Sequence, residues 1–252
     1  MEYHGIDVSR WQGAIDWKKV KEAGVSFAMI KALQGKKPDP RFLENLAGAT
    51  ENGLFAGLYV YSKAKTAADA AAEAEKAMEL AKGFTLRFPA AIDFEDESFL
   101  DMEESERGAI IEAFCERIKE LGALPIVYSN RDWFTRVIPK DIPKKYDIWL
   151  ASWRSSKPKG DFSMWQSGAG KVEGIGGEVD LDVCFKDYPA LTKPPVRFKL
   201  TRQRQRGRAF LLMQEALIEA GYRDAENEPL TPDGVWGKRS EEAFKKLLSE
   251  NG

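Results

Sequence analysis

The sequence predicts an α/β protein: an irregular (β/α)8-type barrel with some helices missing, joined to a small all-α C-terminal domain. Eight short apolar segments of strand length occur before residue 190, and helical segments separate the earlier ones, an order typical of a parallel sheet. Eight strands in one domain of about 190 residues favour closure into a barrel. Proline and basic residues at 191–205 are typical of a linker, so we expect the barrel over residues 1–190 and the helical domain over 206–252.

The predicted strands and helices alternate along the first part of the chain. The strands cover residues 5–9, 27–31, 55–62, 90–95, 125–130, 147–152, 162–167 and 179–183. The helices cover residues 18–23, 41–52, 66–82 and 102–121, and each ends next to a glycine, as helices commonly do. The later strands follow each other at a spacing of about a dozen residues, which is too short for a full helix between them. Polar residues recur at the carboxyl ends of the strands, and in a barrel those ends meet at one mouth.

The composition excludes several kinds of catalytic site. His4 is the single histidine, whereas zinc hydrolases and Ser or Cys nucleophiles generally need histidine ligands or a histidine base. Cys115 and Cys184 are too few for a disulfide framework, and we expect both to be buried thiols. The chemistry therefore falls to carboxylates, with no metal and no cofactor. The sequence has neither a signal-like N-terminal segment nor a run of about 18 apolar residues, so we expect synthesis in the cytoplasm and no membrane insertion.

The run from Phe88 to Glu95 holds the strongest candidate for carboxylate chemistry. It is an apolar strand that ends in Asp93 and Glu95, and these side chains point to the same side because the period of a strand is two. Their Cα atoms would lie about 6.6 Å apart, close enough for repulsion between like charges to raise the pKa of one carboxyl. Acid-assisted cleavage of a glycosidic bond requires such a protonated carboxyl. The alternative is a solvated strand end, since Asp96 and Glu97 continue the acidic run.

The C-terminal part differs from the barrel in charge. Residues 193–252 hold 12 Lys and Arg against 9 Asp and Glu, a net charge of +3, whereas residues 1–192 have a net charge of −5. Seven basic residues and no acidic one lie between Lys193 and Arg208. This run favours either a solvated linker or an anionic partner, such as a bacterial wall or nucleic acid. Amphipathic helices are predicted over residues 210–221 and 240–249, with a turn at 232–234.

An ordered set of motifs covers residues 3–188. The motifs are Gly5-Ile-Asp7-Val-Ser9-Arg-Trp11-Gln12-Gly13, Ile15-Asp16-Trp17, Phe27-Ala-Met-Ile-Lys31-Ala, Gly57-Leu-Tyr59-Val-Tyr61, Asp93-Phe-Glu95, Tyr128-Ser-Asn130, Trp149-Leu-Ala151, Trp165-Gln166 and Val179-Asp180-Leu-Asp182-Val. In this order they resemble glycoside hydrolase family 25, the lysozymes of phages, bacteria and some fungi. The resemblance implies cleavage of the β-1,4 bond between N-acetylmuramic acid and N-acetylglucosamine, with net retention. It implies Glu95 as the proton donor and Asp93 as the carboxylate that stabilises the intermediate or positions the N-acetyl group.

The resemblance also implies that Asp7 and an aspartate of the last strand line the catalytic cleft. Asp180 matches the family's acid, whereas Asp182 stands where the family usually has Asn, so we prefer Asp180. Position at strand ends favours substrate contacts for a further set of residues, although packing in the core is the alternative for its aromatic members. This set comprises Tyr61, Tyr128, Trp149, Trp165, Gln166 and Asp182. Whether the intermediate is covalent or is formed by the sugar's own N-acetyl group stays open.

Three segments of the tail resemble the type 1 peptidoglycan-binding domain. They are Gln214-Glu-Ala-Leu-Ile-Glu-Ala-Gly221-Tyr222, Asp233-Gly234-Val-Trp236-Gly237 and Glu242-Ala243-Phe244. The resemblance implies a tail that binds the bacterial wall, and we expect Asp233 and Trp236 to take part in that binding.

The sequence therefore predicts a modular muramidase of the phage endolysin kind, which acts on the peptidoglycan of the bacterial wall after release from the host cytoplasm. No nucleic-acid partner is expected, and the oligomeric state is not predicted. One alternative is a chitinase-like hydrolase, but Phe88 and Ala91 stand where its motif needs acids. The other is a wall-binding protein without activity. The retention of all four candidate acids, Asp7, Asp93, Glu95 and Asp180, argues against it.

Overall fold

The computed structural model describes residues 2–154, 156–192, 205–206 and 208–250. The chain divides into two compact units, Met1–Pro194 and Pro195–Gly252. The side chains of the basic run at 193–208 lie outside the described residues, and the prediction of an anionic partner for that run stays a prediction. None of the helices that the structure describes combines the length and apolar character needed to span a bilayer.

The first unit contains a closed barrel of eight strands and one further short strand, β3. The strands are β1 (Tyr3–Val8), β2 (Phe27–Gln34), β3 (Lys37–Pro38), β4 (Phe55–Tyr61), β5 (Ala90–Asp93), β6 (Pro125–Asn130), β7 (Asp147–Ala151), β8 (Met164–Lys171) and β9 (Glu178–Cys184). The order around the barrel is β1-β9-β8-β7-β6-β5-β4-β2, and β1 closes it by pairing with β2, while the short β3 pairs only with β2. Each of the eight predicted strands has a counterpart, so the mixed α/β barrel is confirmed.

Seven α-helices accompany the barrel strands in the described residues. They are α1 (Trp17–Glu22), α2 (Phe42–Glu51), α3 (Ala67–Leu80), α4 (Glu104–Glu120), α5 (Arg131–Arg136), α6 (Ile142–Lys145) and α7 (Tyr188–Leu191). The alanine-rich α3 begins at Thr66, whose hydroxyl accepts a hydrogen bond from the backbone N–H of Asp69. Helices α5 and α6 are short, and the described residues between β7 and β8 contain no helix, as the strand spacing predicts.

The expectation of a wholly parallel sheet is wrong at β9. Strands β1, β2, β4, β5, β6, β7 and β8 run parallel, but β9 pairs antiparallel with both β8 and β1. The reason is the connection, since only residues 172–177 separate β8 from β9 and a parallel crossover needs about a dozen residues. The N-terminal half of β9 therefore approaches the end of the barrel where the other strands finish.

Alternation along the strands produces two apolar layers. Side chains inside the barrel include Phe27, Met29, Ile126, Trp149 and Met164, and these are buried. Gly57 is required beside them, because a Cβ there would stand 2.6 Å from the sulfur of Met29. The alternate side chains of the same strands pack outward against the helices, which buries a larger second layer. The interior is thus filled below the mouth, and the polar side chains gather above it.

The second unit is small, and its described residues contain two helices. Its elements are β10 (Gln205–Arg206), α8 (Arg208–Glu219), β11 (Val235–Trp236) and α9 (Lys238–Glu250). Its buried core consists of Leu217, Leu230, Trp236 and Ala243. The two helices agree with the predicted ones, but the antiparallel pair of β10 with β11 means that an all-α domain is not confirmed.

Candidate active site

Four carboxylates meet in one cleft of about 250 Å³ at the mouth of the barrel. Asp7 lies near the end of β1, Asp93 is the last residue of β5, and Glu95 follows two residues later. Asp180 arrives from the opposite direction on β9, where it is the register partner of Asp7. The sequence placed these four residues in a common cleft, and the structure brings all four together.

Asp7 is held by a polar network on the cleft wall. Its Oδ2 accepts a hydrogen bond of 2.8 Å from Nε2 of Gln166. Burial, and after it the charge of Asp180, raises the pKa of Asp7 to about 7, although the hydrogen bond from Gln166 opposes the rise. This donor is a side chain of the cleft wall and not a backbone N–H group.

Asp182 lies beneath the cleft and is not among its lining residues. It is 2% exposed, and its Oδ1 accepts a hydrogen bond of 2.8 Å from Nε1 of Trp149. Its Oδ2 is buried and has no hydrogen-bond partner among the described residues. Burial first, then the charge of Asp7, raises the pKa of Asp182 well above its usual value. The predicted substrate contact of Asp182 is therefore not supported, and Asp180 is the β9 aspartate that faces the cleft.

Asp93 and Glu95 are the pair that the sequence singled out. Burial is the largest cause that raises the pKa of both carboxyls. Repulsion from Glu95 raises the pKa of Asp93 further, and repulsion from Asp180 raises the pKa of Glu95 further. The ammonium group of Lys31 lowers both pKa values, since it lies nearby on β2. The Oδ1 of Asp93 is buried and has no hydrogen-bond partner among the described residues. Glu95 is the more exposed of the two and is half-buried at the cleft surface.

The predicted aromatic contacts divide between the cleft and the outer layer. Tyr61, Tyr128 and Trp149 line the cleft, as does Gln166. Trp165 does not: it packs in the layer between barrel and helices, and its Nε1 donates to the backbone oxygen of Ser152 at 2.8 Å. Because the period of a strand is two, Gln166 and its neighbour Trp165 point to opposite sides of β8. The prediction that Trp165 contacts substrate is not supported.

Several cleft residues were not among the predicted site residues. Lys31 stands at the mouth, and its Nζ lies 4.9 Å from the ring centroid of Tyr61. Tyr59 also lines the cleft, and its spacing of two from Tyr61 on β4 was a signal for a shared face. Trp11 and Gln12, which follow β1 in the chain, are lining residues as well, and Trp11 is 77% exposed.

The two residues predicted to bind the wall from the tail have structural partners instead. Trp236 is 5% exposed, and its ring centroid lies 5.8 Å from that of Phe210 and 5.9 Å from that of Phe244. The Oδ1 of Asp233 accepts hydrogen bonds from the backbone N–H of Val235 and from Nε2 of Gln214. A buried indole offers no face to a glycan, so direct binding by Trp236 is not supported.

Comparison with known proteins identifies the barrel. The family model described as glycosyl hydrolases family 25 matches residues 6–175. The Escherichia coli O157:H7 protein YegX is 33% identical over 192 residues, which cover 71% of this chain and 68% of that protein. Lysozyme M1 of Streptomyces globisporus is 30% identical over 193 residues, covering 70% of this chain and 65% of the relative. The crystal structure of a bacterial lysozyme from Streptomyces coelicolor aligns with a TM-score of 0.67 at 28% identity, covering 75% of this chain and 96% of that one.

Asp180 and Asp182 lie beyond the residues that the family model matches. Their assignment therefore depends on the structure, in which Asp180 pairs with Asp7 and Asp182 with Gly5 along β1.

Proposed function

The chain belongs to glycosyl hydrolase family 25 and is by that membership a glycoside hydrolase, and we propose that it hydrolyses the β-1,4 bond between N-acetylmuramic acid and N-acetylglucosamine in bacterial peptidoglycan. The observation that carries the proposal is the convergence of Asp7, Asp93, Glu95 and Asp180 on one cleft of this barrel. Carboxylates are the groups that glycosidases use, and the mouth of a barrel is where they are found. The similarity to Lysozyme M1 of Streptomyces globisporus supports the same reaction.

Glu95 is the proton donor in this proposal. Its raised pKa favours the protonated form, because burial and the charge of Asp180 penalise the ionised form. Its partial exposure lets that proton reach a glycosidic oxygen, whereas Asp93 is buried deeper. Lys31 limits the rise of the pKa, so the carboxyl can also ionise and return as a base when water attacks.

Asp93 acts on the sugar rather than on the leaving group. Its carboxylate lines the cleft, where it would accept a hydrogen bond from the N–H of an N-acetyl group. An N-acetyl group held in this way attacks the anomeric carbon through its carbonyl oxygen, and water then opens the intermediate with net retention. Asp7 and Asp180 add negative charge to the same cleft, which favours a developing oxocarbenium ion.

The second unit is proposed to hold the enzyme on the wall. The helical segments that resemble a peptidoglycan-binding domain support this role, with a contact surface other than the buried Trp236. A phage endolysin remains the predicted biological role. Lysis of a bacterium that expresses the protein together with a separate pore protein, but not without that pore protein, is the expected result.

The reaction is tested by identifying the new sugar ends. Purified walls are incubated with the protein, the new reducing ends are reduced with borohydride, and the reduced sugars are hydrolysed and separated. A muramidase yields muramicitol. Glucosaminitol would indicate cleavage of the other glycosidic bond, and the absence of new reducing ends would contradict glycan hydrolysis.

A further inference from the structure

The catalytic cleft continues into a groove whose walls are basic. Next to the cleft lies a depression of about 280 Å³ that shares Trp11 and Lys31 with it. Beyond that lies a wider depression of about 720 Å³, which shares Lys37 and Lys63 with the first. The two depressions form one path along the barrel mouth, and we call them together the basic groove.

Cations outnumber accessible anions along the basic groove. Six cationic side chains line it: Arg10, Lys31, Lys36, Lys37, Lys63 and Lys65. Two of them are neutralised by ion pairs, Lys36 with Asp69 at 2.7 Å and Lys63 with Asp96 at 3.3 Å. In the part of the chain that the structure describes, neither Lys37 nor Lys65 has an ion-pair partner, and both are exposed.

Two other acids of the groove are engaged by the protein itself. Asp39 is buried, and its carboxylate accepts hydrogen bonds from the backbone N–H groups of Arg10 at 3.2 Å and Arg41 at 2.9 Å. Glu73 is buried as well and accepts from the hydroxyl of Ser62 at 2.7 Å and the backbone N–H of Lys63 at 3.1 Å. These carboxylates hold the loops in place and offer little charge to a ligand, so the field over the open groove is positive.

We propose that the basic groove binds the carboxylates of the peptide stem on the muramic acid residue whose glycosidic bond is cleaved. The inference rests on the proposed function. The lactyl group of each muramic acid residue carries the peptide, and in this proposal the stem of the sugar in the cleft leaves across the rim that Trp11 and Lys31 share with the groove. Lys37 and Lys65, further along the path, meet the carboxylates of its amino acids. The groove therefore sets a preference for glycan that still carries its peptides.

The test compares two substrates and two variants. The substrates are walls freed of phosphodiester polymers by hydrofluoric acid, either with their peptides or stripped of them by an amidase. The test variant is Lys37→Gln with Lys65→Gln. The control is Lys82→Gln with Lys144→Gln, because these exposed lysines lie near the opposite end of the barrel and have no ion pair in the described residues. Equal melting temperatures of the three proteins exclude a folding defect.

The expected result is a loss confined to one substrate. We expect the test variant to lose about fivefold in kcat/KM on the peptide-bearing glycan and nothing on the stripped glycan, an effect of the size that two exposed charge contacts supply. The difference should shrink as salt is raised, since exposed charges are screened. The control variant should match the wild type on both substrates.

The contrary results are distinct. An equal loss on both substrates, or no loss on either, would overturn the groove proposal while leaving the muramidase intact. A loss that is seen only when hydrofluoric acid is omitted would assign the groove to a phosphodiester polymer and also overturn it. Failure of the wild type to cleave either substrate would overturn the proposed function, and the groove proposal with it.

Discussion

The side-chain amide of Gln166 donates a hydrogen bond of 2.8 Å to the carboxylate of Asp7, although 159 positions separate the two residues. Its carbonyl oxygen accepts from the hydroxyl of Tyr128 at 3.1 Å and the indole N–H of Trp153 at 3.2 Å. These two donors fix the orientation of the amide, so its nitrogen must face Asp7. Strands β6 and β8 and the segment after β7 are thereby linked to one carboxylate of the cleft, that of Asp7 on β1. The hydrogen bond favours the ionised form of Asp7, but burial disfavours that form more strongly.

The raised pKa of Asp7 predicts that its contribution to the stability of the fold depends on pH. Its pKa rises from 3.8 in the unfolded chain to about 7 in the fold, so its contribution to stability is fully present below pH 4 and is lost as the pH rises to about 7. An Asp7→Asn variant lacks this loss. Its free energy of unfolding relative to the wild type should therefore increase between pH 4 and pH 8, by at most about 4 kcal/mol. Urea denaturation at each pH measures the difference.

Asp16, a carboxylate whose pKa is lowered and not raised, serves as the control for this measurement. The pKa of Asp16 is lowered, chiefly by the backbone N–H of Lys19, so its contribution changes only at acidic pH. Asp16→Asn should show no relative gain between pH 5 and pH 8. A relative stability of Asp7→Asn that stays constant over the same range would contradict the pKa assigned to Asp7.

Replacement of Glu95 by Gln should abolish hydrolysis without affecting the fold. The amide keeps the size of the side chain but cannot transfer a proton, and general acid catalysis contributes about 100- to 10,000-fold to a rate. We expect a fall of that size in kcat, measured by release of reducing ends from walls. Glu97→Gln makes the same change two residues along the chain, at an exposed position, and should retain the wild-type rate. Activity of Glu95→Gln within tenfold of the wild type would mean that the donor lies elsewhere.

The sequence predicted correctly which residues lie at strand ends and which side chains share a face of a strand. It did not predict strand direction, or whether a given side chain packs in the core or faces the cleft. Asp7, Asp93 and Glu95 share a cleft because the carboxyl ends of parallel strands lie at the same mouth of a barrel. The direction of β9 was not foreseen, although the short connection before it was visible. Trp165 and Gln166 are neighbours in one strand, so only one of them could face the cleft. Trp236 was predicted to bind the wall and Lys31 was given no role, because the sequence does not show whether a tryptophan in a turn or a lysine at a strand end binds a ligand or packs.

The different placement of two tryptophans predicts different consequences of the same substitution. Trp149 and Trp165 each donate an indole hydrogen bond of 2.8 Å, to Asp182 and to the backbone of Ser152 respectively. Either change to Phe removes a buried donor and leaves an acceptor unsatisfied, which should cost about 1–3 kcal/mol of unfolding free energy. Only Trp149→Phe should also reduce kcat/KM, because Trp149 lines the cleft and holds the acid below it.

The two effects separate when activity is measured well below the melting temperature of both variants. Trp165→Phe should then have the wild-type kcat/KM, and its stability loss serves as the matched control for Trp149→Phe. A comparable fall in kcat/KM for Trp165→Phe would indicate that Trp165 does contact the substrate, contrary to its position in the structure.

Removal of the second unit should separate wall binding from catalysis. The barrel forms a compact unit that ends at Pro194, and the four carboxylates of the cleft belong to it. A variant that lacks residues 195–252 should therefore keep the thermal transition of the barrel and its kcat on soluble glycan fragments. On intact walls its rate at low protein concentration should fall, because a tethered domain raises the effective concentration of the enzyme at its substrate.

Binding to the wall is measured most cleanly when the wall is not degraded. Glu95→Gln in the full-length chain and Glu95→Gln without residues 195–252 are therefore compared by sedimentation with purified walls. The full-length protein should sediment at lower wall concentrations than the truncated one. Equal sedimentation of the two would mean that the barrel alone provides the affinity and that the second unit has another role.

A second comparison uses Trp236→Ala: this indole is packed between Phe210 and Phe244, so its removal should weaken binding only together with unfolding of the second unit.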